Sequence, residues 1–185
     1  MRIGGLVLAA GEGSRFGGTK QLADAGGRPL LEHALAAVAA LEPRVVVLGH
    51  EAEAIAAAVD LQGARPVVCA DWHEGQSASL RCGVAALGDV DGAVVVLGDQ
   101  PRITAEAVAA VAGAPLGDAA AARATYGGRP GHPVLLGRGL LERAGELRGD
   151  VGFRDLLDSV RVKDIEVGGL ADPVDIDTRE ELARL

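Results

Sequence analysis

Between Val7 and Leu22 the chain reads VLAAGEGSRFGGTKQL, an apolar run that gives way to glycines at 11, 13, 17 and 18 around Arg15 and Lys20. Glycines let backbone N–H groups approach an anion closely, and the forked guanidinium and mobile ammonium add positive charge. A loop of that make-up, directly after a buried strand, is suited to phosphate oxygens. It follows neither of two familiar phosphate patterns. GxGxxG would need glycine where Phe16 stands, and GxxxxGK[ST] would need the lysine before a hydroxyl residue, whereas the chain has Gly18-Thr19-Lys20. A second group follows the apolar run Ala93 to Leu97. There Gly98-Asp99-Gln100-Pro101 aims a short carboxylate at the ligand edge, with Pro101 fixing the exit of the chain. A third is Asp175-Ile176-Asp177-Thr178. Alternation along an extended segment puts Asp175 and Asp177 on one side and leaves open which of them would hold a metal. Thr178, followed by Glu180 and Glu181, also reads as a helix start.

Other candidates have two readings each. Ser77 and Ser79 are either ligand contacts or the first turn of the next helix, and they are not hydrolase nucleophiles because no GxSxG surrounds them. His132, between Gly131 and Pro133, is either a substrate contact or a hydrogen-bonded spacer. Trp72 either stacks on a base or fills a loop pocket. His33, His50 and His73 have no zinc-ligand spacing. Cys69 and Cys82 lack CxxC spacing and are expected to be buried, reduced thiols.

These residues need a scaffold, and the chain supplies one of alternating type. Apolar, β-branched runs at Ile3 to Leu8, Arg44 to Leu48, Pro66 to Ala70, Ala93 to Leu97 and Ala120 to Thr125 predict strands covered on both faces. Between them, Pro29 opens a helical pattern continued by Leu31, Ala34, Leu35, Val38 and Leu41. Glu51 to Val59, Ser77 to Leu87 and Thr104 to Val111 read as helices too. This βαβ alternation predicts an α/β fold, a three-layer sandwich around a mostly parallel sheet. In such sheets ligands bind beyond the carboxyl ends of the strands, where the candidate residues lie. The last third is less regular. Strands are expected at Val134 to Leu136, Val160 to Val167 and Val174 to Ile176, some forming a small flap over the main sheet. Helices are expected near Leu140 to Ala144, Phe153 to Leu157 and Arg179 to Leu185.

The 185 residues suit one domain, and no linker or repeat divides them. With 18 Lys plus Arg against 26 Asp plus Glu, the net charge of −8 argues against a nucleic-acid partner, so any anion site is local. No signal pattern or membrane-length apolar segment is present, which predicts a cytoplasmic protein without a membrane partner.

Taken in order, the motifs resemble a known family. The loop LAAGxGxRxGxxKxL at 8 to 22 is joined by Gly75-Gln76-Ser77-Ala78-Ser79-Leu80, Leu97-Gly98-Asp99-Gln100-Pro101 and Pro130-Gly131-His132-Pro133-Val134. Gly149-Asp150-Val151-Gly152-Phe153-Arg154 and Asp175-Ile176-Asp177-Thr178 complete the set. Together they resemble the molybdenum cofactor cytidylyltransferases, with Phe16 where methionine is more usual. The resemblance implies a Rossmann-like sheet of the nucleotide-diphospho-sugar transferase type and transfer of CMP from CTP to the phosphate of molybdopterin, releasing pyrophosphate. It implies Mg²⁺ as cofactor and a molybdoenzyme or its chaperone as a further partner. Arg15, Lys20 and Asp99 would carry catalysis. Leu8, Ala9, Ala10, Gly11, Gly13, Ser14, Ser77 and Ser79 would join them in holding the nucleotide. Asp99 and Asp177 would hold metal, and Gln100, Pro101, Gly131 and His132 the pterin. Ala10, as alanine rather than glycine, would favour cytidine over guanosine. The alternatives are a guanylyltransferase of the same cofactor, a transferase acting on another small phosphorylated acceptor, and a non-catalytic cofactor carrier. The carrier is disfavoured because it has little use for a metal-binding pair.

Overall fold

The computed structural model describes residues 1–146 and 152–185. In chain order the elements are β1 (Ile3–Ala9), α1 (Leu30–Ala37), β2 (Arg44–Leu48), α2 (Ala52–Ala58), β3 (Arg65–Val68), α3 (Gln76–Leu87) and β4 (Gly92–Leu97). They continue with α4 (Ala105–Ala112), β5 (Ala121–Tyr126), β6 (Arg129–Gly137), α5 (Arg138–Glu142), α6 (Gly152–Asp158), β7 (Val162–Glu166) and α7 (Arg179–Leu182). Gly149, Asp150 and Val151 of the fifth motif lie outside the described residues.

One seven-stranded sheet, in the order β3-β2-β1-β4-β6-β5-β7, runs through the molecule. Strands β1 to β4 pair in parallel, β6 runs antiparallel to both neighbours, and β5 and β7 pair in parallel. The apolar runs of β1, β2 and β4 are strands covered on both faces as expected, whereas β3 is not: it lies at the sheet edge and Val68 is 63 % exposed. Val7 and Ala9 pack with α1 and α4 residues such as Leu31, Leu35 and Val108, while Leu6, Leu8 and Ala10 pack on the other face with α3 residues such as Ala78 and Leu80. Gly83 lets α3 settle closely onto β1 and β2, since a Cβ there would collide with Leu6 and Val47.

Three expectations are corrected. The late strands form no flap: β5, β6 and β7 extend the main sheet, because Val134 to Leu136 of β6 are apolar, fully covered and paired with β4. Val174 to Ile176 is not a strand, since it has no ladder partner and runs as irregular chain pinned where the Ile176 N–H donates to the Asp99 carbonyl at 3.0 Å. The cysteines are not free thiols. Cys69 follows β3, Cys82 lies in α3, and the βαβ packing brings their Cα atoms to 5.9 Å and joins them in a disulfide. Thirteen residues of sequence separation hide that proximity, which only the crossover creates.

Candidate active site

The chain leaves β1 toward β2 and β3 on one side, then crosses to β4 on the other, so a crevice opens where the carboxyl ends of β1 and β4 diverge. A cavity of about 210 Å³ occupies it. It is lined from β1 by Leu8 and Ala9, from the following loop by Gly11, Gly13, Ser14, Arg15, Lys20 and Gln21, from β4 by Gly98 and Asp99, and from the C-terminal segment by Asp177. Gly13 adopts φ +65°, a backbone state that favours glycine, and its carbonyl accepts the Phe16 N–H at 2.8 Å to turn the loop back over the crevice. Phe16 anchors the turn, buried with Leu30 and Ile176 and covered by the Arg179 guanidinium 5.0 Å from its ring centroid.

Charge converges on this crevice. The Lys20 ammonium donates to Asp99 Oδ2 at 2.8 Å, to Asp177 Oδ1 at 3.1 Å and to the Ile176 carbonyl at 3.1 Å. Burial alone would lower its pKa, but Asp99 and Asp177 outweigh that and hold it above the ordinary lysine value. Arg15 reaches Asp177 Oδ2 at 3.2 Å from a side chain 77 % exposed, so this pair is screened and its geometry is easily given up. Asp99 Oδ1 is buried without a hydrogen-bond partner. An orphaned carboxylate oxygen beside a second carboxylate suits a hard divalent cation. Among the described residues no cluster of three His, Cys, Asp or Glu side chains could hold a metal by itself. The pair therefore fits a cation that brings further oxygens with it, such as water or phosphate.

Asp177 and Thr178 divide the labour that the sequence left ambiguous. Thr178 caps α7: its hydroxyl accepts the Glu181 N–H, while Glu181 Oε2 accepts the backbone N–H groups of Asp177 and Thr178. The cap uses only the backbone of Asp177 and leaves its carboxylate for the crevice. The expected alternation does not hold, because Asp177 lines the small cavity and Asp175 lines its neighbour.

That neighbouring cavity, about 790 Å³, is bordered by Gln100, Tyr126, Arg129, Gly131, His132, Arg154 and Asp175 among others. Gln100 is buried, and its Nε2 donates to Asp175 Oδ1 at 2.8 Å. Burial foremost, then the Asp99 and Asp177 charges, push the Asp175 carboxyl up despite that bond. Burial also pushes His132 down to about 4, so its ring is neutral near pH 7. The Tyr126 hydroxyl donates to the His132 carbonyl at 2.6 Å, and burial foremost raises Tyr126 to about 12. Glu166 shapes the rim. It accepts the N–H groups of Gly127, Gly128 and Gly168 and the Thr125 hydroxyl, and these bonds lower it to about 2 while fixing the β5–β6 turn that carries Tyr126 and Arg129.

Several expected residues lie elsewhere. Ser77 and Ser79 sit in the first turn of α3, buried, with Ser77 Oγ accepting from Arg81 at 3.4 Å, and neither borders either of these two cavities. Ala10 is buried beside the small cavity rather than in it, packed with Trp72 and Cys69, and its carbonyl accepts the His50 N–H. Trp72 fills the space over Gly49, with the His50 ring edge-on at 5.6 Å. Pro101 turns the chain away from both cavities. The sequence reading passed over Gln21. Its buried amide donates to the Ala9 and Gly11 carbonyls at 2.9 and 3.0 Å, tying the two ends of the loop together. The available signal was an amide side chain directly after Lys20, at the end of the glycine-rich run.

Fold and site together define an enzyme of the nucleotidyltransferase class, with a glycine-rich loop, two cations and a carboxylate pair at the switch point of an α/β sheet. The chain belongs to the family described as the MobA-like NTP transferase domain, matched over residues 5–165. It is 33 % identical over 200 residues to the nicotine blue oxidoreductase of Paenarthrobacter nicotinovorans, covering 99 % of this chain and 96 % of that one. It is 40 % identical over 111 residues to the bifunctional protein GlmU of Corynebacterium aurimucosum, covering 55 % of this chain and 23 % of that one. The crystal structure of Rv0371c of Mycobacterium tuberculosis in complex with manganese superposes with a TM-score of 0.82 at 30 % identity, covering 100 % of this chain and 98 % of that one. No helix among the described residues is long and apolar enough to cross a membrane.

Proposed function

We propose that this chain is a single-domain, cytoplasmic, Mg²⁺-dependent cytidylyltransferase that joins CMP to the phosphate of molybdopterin. The observation that carries the reading is the meeting of Lys20, Asp99 and Asp177 beside the glycine-rich loop, next to a second cavity large enough for a bicyclic or tricyclic acceptor. An oxygen of the acceptor phosphate attacks the α-phosphorus of the triphosphate, a new P–O bond forms, the bond to the bridging oxygen breaks, and pyrophosphate leaves. No protein nucleophile is needed. Loop N–H groups, Arg15 and Lys20 hold the triphosphate and offset its charge as the bridging oxygen departs. Asp99 and Asp177 would hold the divalent cation, which supplies charge neutralisation at the phosphate oxygens. The manganese complex of Rv0371c supports a divalent metal here. Gln100, Gly131 and His132 line the acceptor side, and the neutral His132 ring gives and accepts hydrogen bonds without adding charge.

The test is pyrophosphate release with each of the four triphosphates, with and without molybdopterin. Release that needs both CTP and molybdopterin is expected. Release with GTP in place of CTP makes the enzyme a guanylyltransferase, and release only with another phosphorylated acceptor replaces the pterin. Similarity to nicotine blue oxidoreductase along nearly the whole chain favours a second reading, an oxidoreductase on the same scaffold. Turnover of nicotine blue without any pyrophosphate release would select it.

A further inference from the structure

The Lys20 amine has three N–H donors, and all three are spent: one on Asp99 Oδ2, one on Asp177 Oδ1, one on the Ile176 carbonyl. Its side chain is only 12 % exposed, so these bonds are sheltered from water. A saturated ammonium has nothing left for a phosphate oxygen. A cation held by both carboxylates would likewise need oxygens that Lys20 now occupies. Of the four carboxylate oxygens of this pair Asp99 Oδ1 alone lacks a partner, and with the other three engaged it supplies one ligand to a hard divalent cation that prefers about six.

We propose that Lys20 is the resident counter-ion of the Asp99–Asp177 pair in the free protein, so that divalent metal and Lys20 compete for the same oxygens and the metal binds well only together with a triphosphate. The exchange conserves charge locally. When phosphates enter the loop they offer Lys20 new acceptors, the ammonium moves to them, and the vacated carboxylates take the cation that the same phosphates help to hold. Neither partner then leaves two facing carboxylates without a positive charge, an arrangement that would be costly in a part-buried crevice. Arg15 cannot fill the gap, because it reaches only Asp177 and is largely in solvent. The inference rests on the proposed metal-and-triphosphate chemistry, but its test uses metal alone and no acceptor.

Mn²⁺ is titrated into nucleotide-free protein and free Mn²⁺ is followed by electron paramagnetic resonance. The wild type is expected to bind it weakly, and Lys20→Met about tenfold or more tightly, because an opposing charge has been removed from its ligands. Adding Asp99→Asn to Lys20→Met should abolish the gain. Lys20→Gln, which keeps hydrogen bonds to the carboxylates without the charge, serves as the folded comparison if Lys20→Met unfolds, with circular dichroism as the check. With a non-hydrolysable CTP analogue present, the wild type should bind Mn²⁺ tightly. Equal Mn²⁺ affinity in wild type and either lysine variant overturns the proposal, and so does a gain that survives Asp99→Asn. A missing pyrophosphate signal with every triphosphate would refute the transferase reading and leave this metal measurement standing.

Discussion

The two cavities at the sheet edge are built in opposite ways. The small one draws most of its lining from a single stretch of fifteen residues, Leu8 to Leu22, completed by Asp99 and Asp177, and it is strongly charged. The large one is assembled from the start of α3, the end of β4, both strands of the β5–β6 hairpin, α6 and the irregular segment before α7, and it mixes apolar and polar walls. Phosphate is the same in every nucleotide, so one contiguous loop with invariant chemistry can hold it. An acceptor differs from enzyme to enzyme, and its shape can be matched only by side chains gathered from many elements. The division predicts that changes in the small cavity alter rate whatever the acceptor is, while changes in the large one alter which acceptor is used.

The strongest way to break that contrast is Asp99→Asn. The variant keeps the side-chain shape and removes the charge proposed to hold the divalent cation, so turnover should fall by about a thousandfold while the melting temperature stays near that of the wild type. A fall confined to the KM for one acceptor would show that Asp99 belongs to the large cavity instead. Asp177→Asn should resemble it, whereas Asp175→Asn should change chiefly the acceptor KM, because Asp175 opens into the other cavity. Steady-state kinetics with both substrates varied separates the three.

Next in size are the cations. Lys20→Ala should lower kcat by about a hundredfold, and Arg15→Ala, whose guanidinium is mostly in solvent, by nearer tenfold. An Arg15 effect as large as that of Lys20 would mean that the loop closes over the triphosphate and buries Arg15.

A smaller effect is expected at Ala10. It is buried between Ala9 and Gly11 of the small cavity's lining, in the core cluster that Trp72 packs against, so a lost methyl there relaxes the support behind that wall by one carbon. Ala10→Gly should shift the CTP to GTP preference toward GTP by roughly tenfold, the scale of one methylene in a pocket. Initial rates with both triphosphates measure it, and an unmoved ratio would place base choice elsewhere.

The least of the four concerns His132. Burial holds it neutral down to about pH 4, against an ordinary value of 6.5. Below 6.5 the unfolded chain takes up a proton that the folded chain refuses, so this group's stabilising influence is intact above 6.5 and erodes as pH falls toward 4. His132→Gln should flatten the decline of the urea midpoint over that window. An unchanged slope would show that the ring is protonated in the folded protein. The acceptor KM of the wild type should show no histidine step between about pH 5 and 8.

The meeting of the glycine-rich loop with its two cations in one crevice was legible for a local reason. Glycines, cations and an apolar strand lie within one run of sequence, and backbone N–H groups need no distant partner to form an anion cradle. Asp99 was legible because it directly ends a buried strand. The alternation of strands and helices followed from apolar periodicity alone, and the parallel sheet with it. What the chain could not reveal by itself depended on how far-apart segments meet. Asp175 and Asp177 look equivalent in an extended run, and only the Ile176 N–H on Asp99 and the cap of α7 turn them to different cavities. Cys69 and Cys82 look unrelated until the β3–α3 crossover brings them together. Ser77 and Ser79 match a ligand motif in type, yet packing of α3 on the sheet buries both. Local chemistry is written residue by residue, whereas the direction of a side chain in an irregular segment is set by hydrogen bonds to elements seventy or more residues away, as with Asp99 and Ile176, and those exist only in the folded chain.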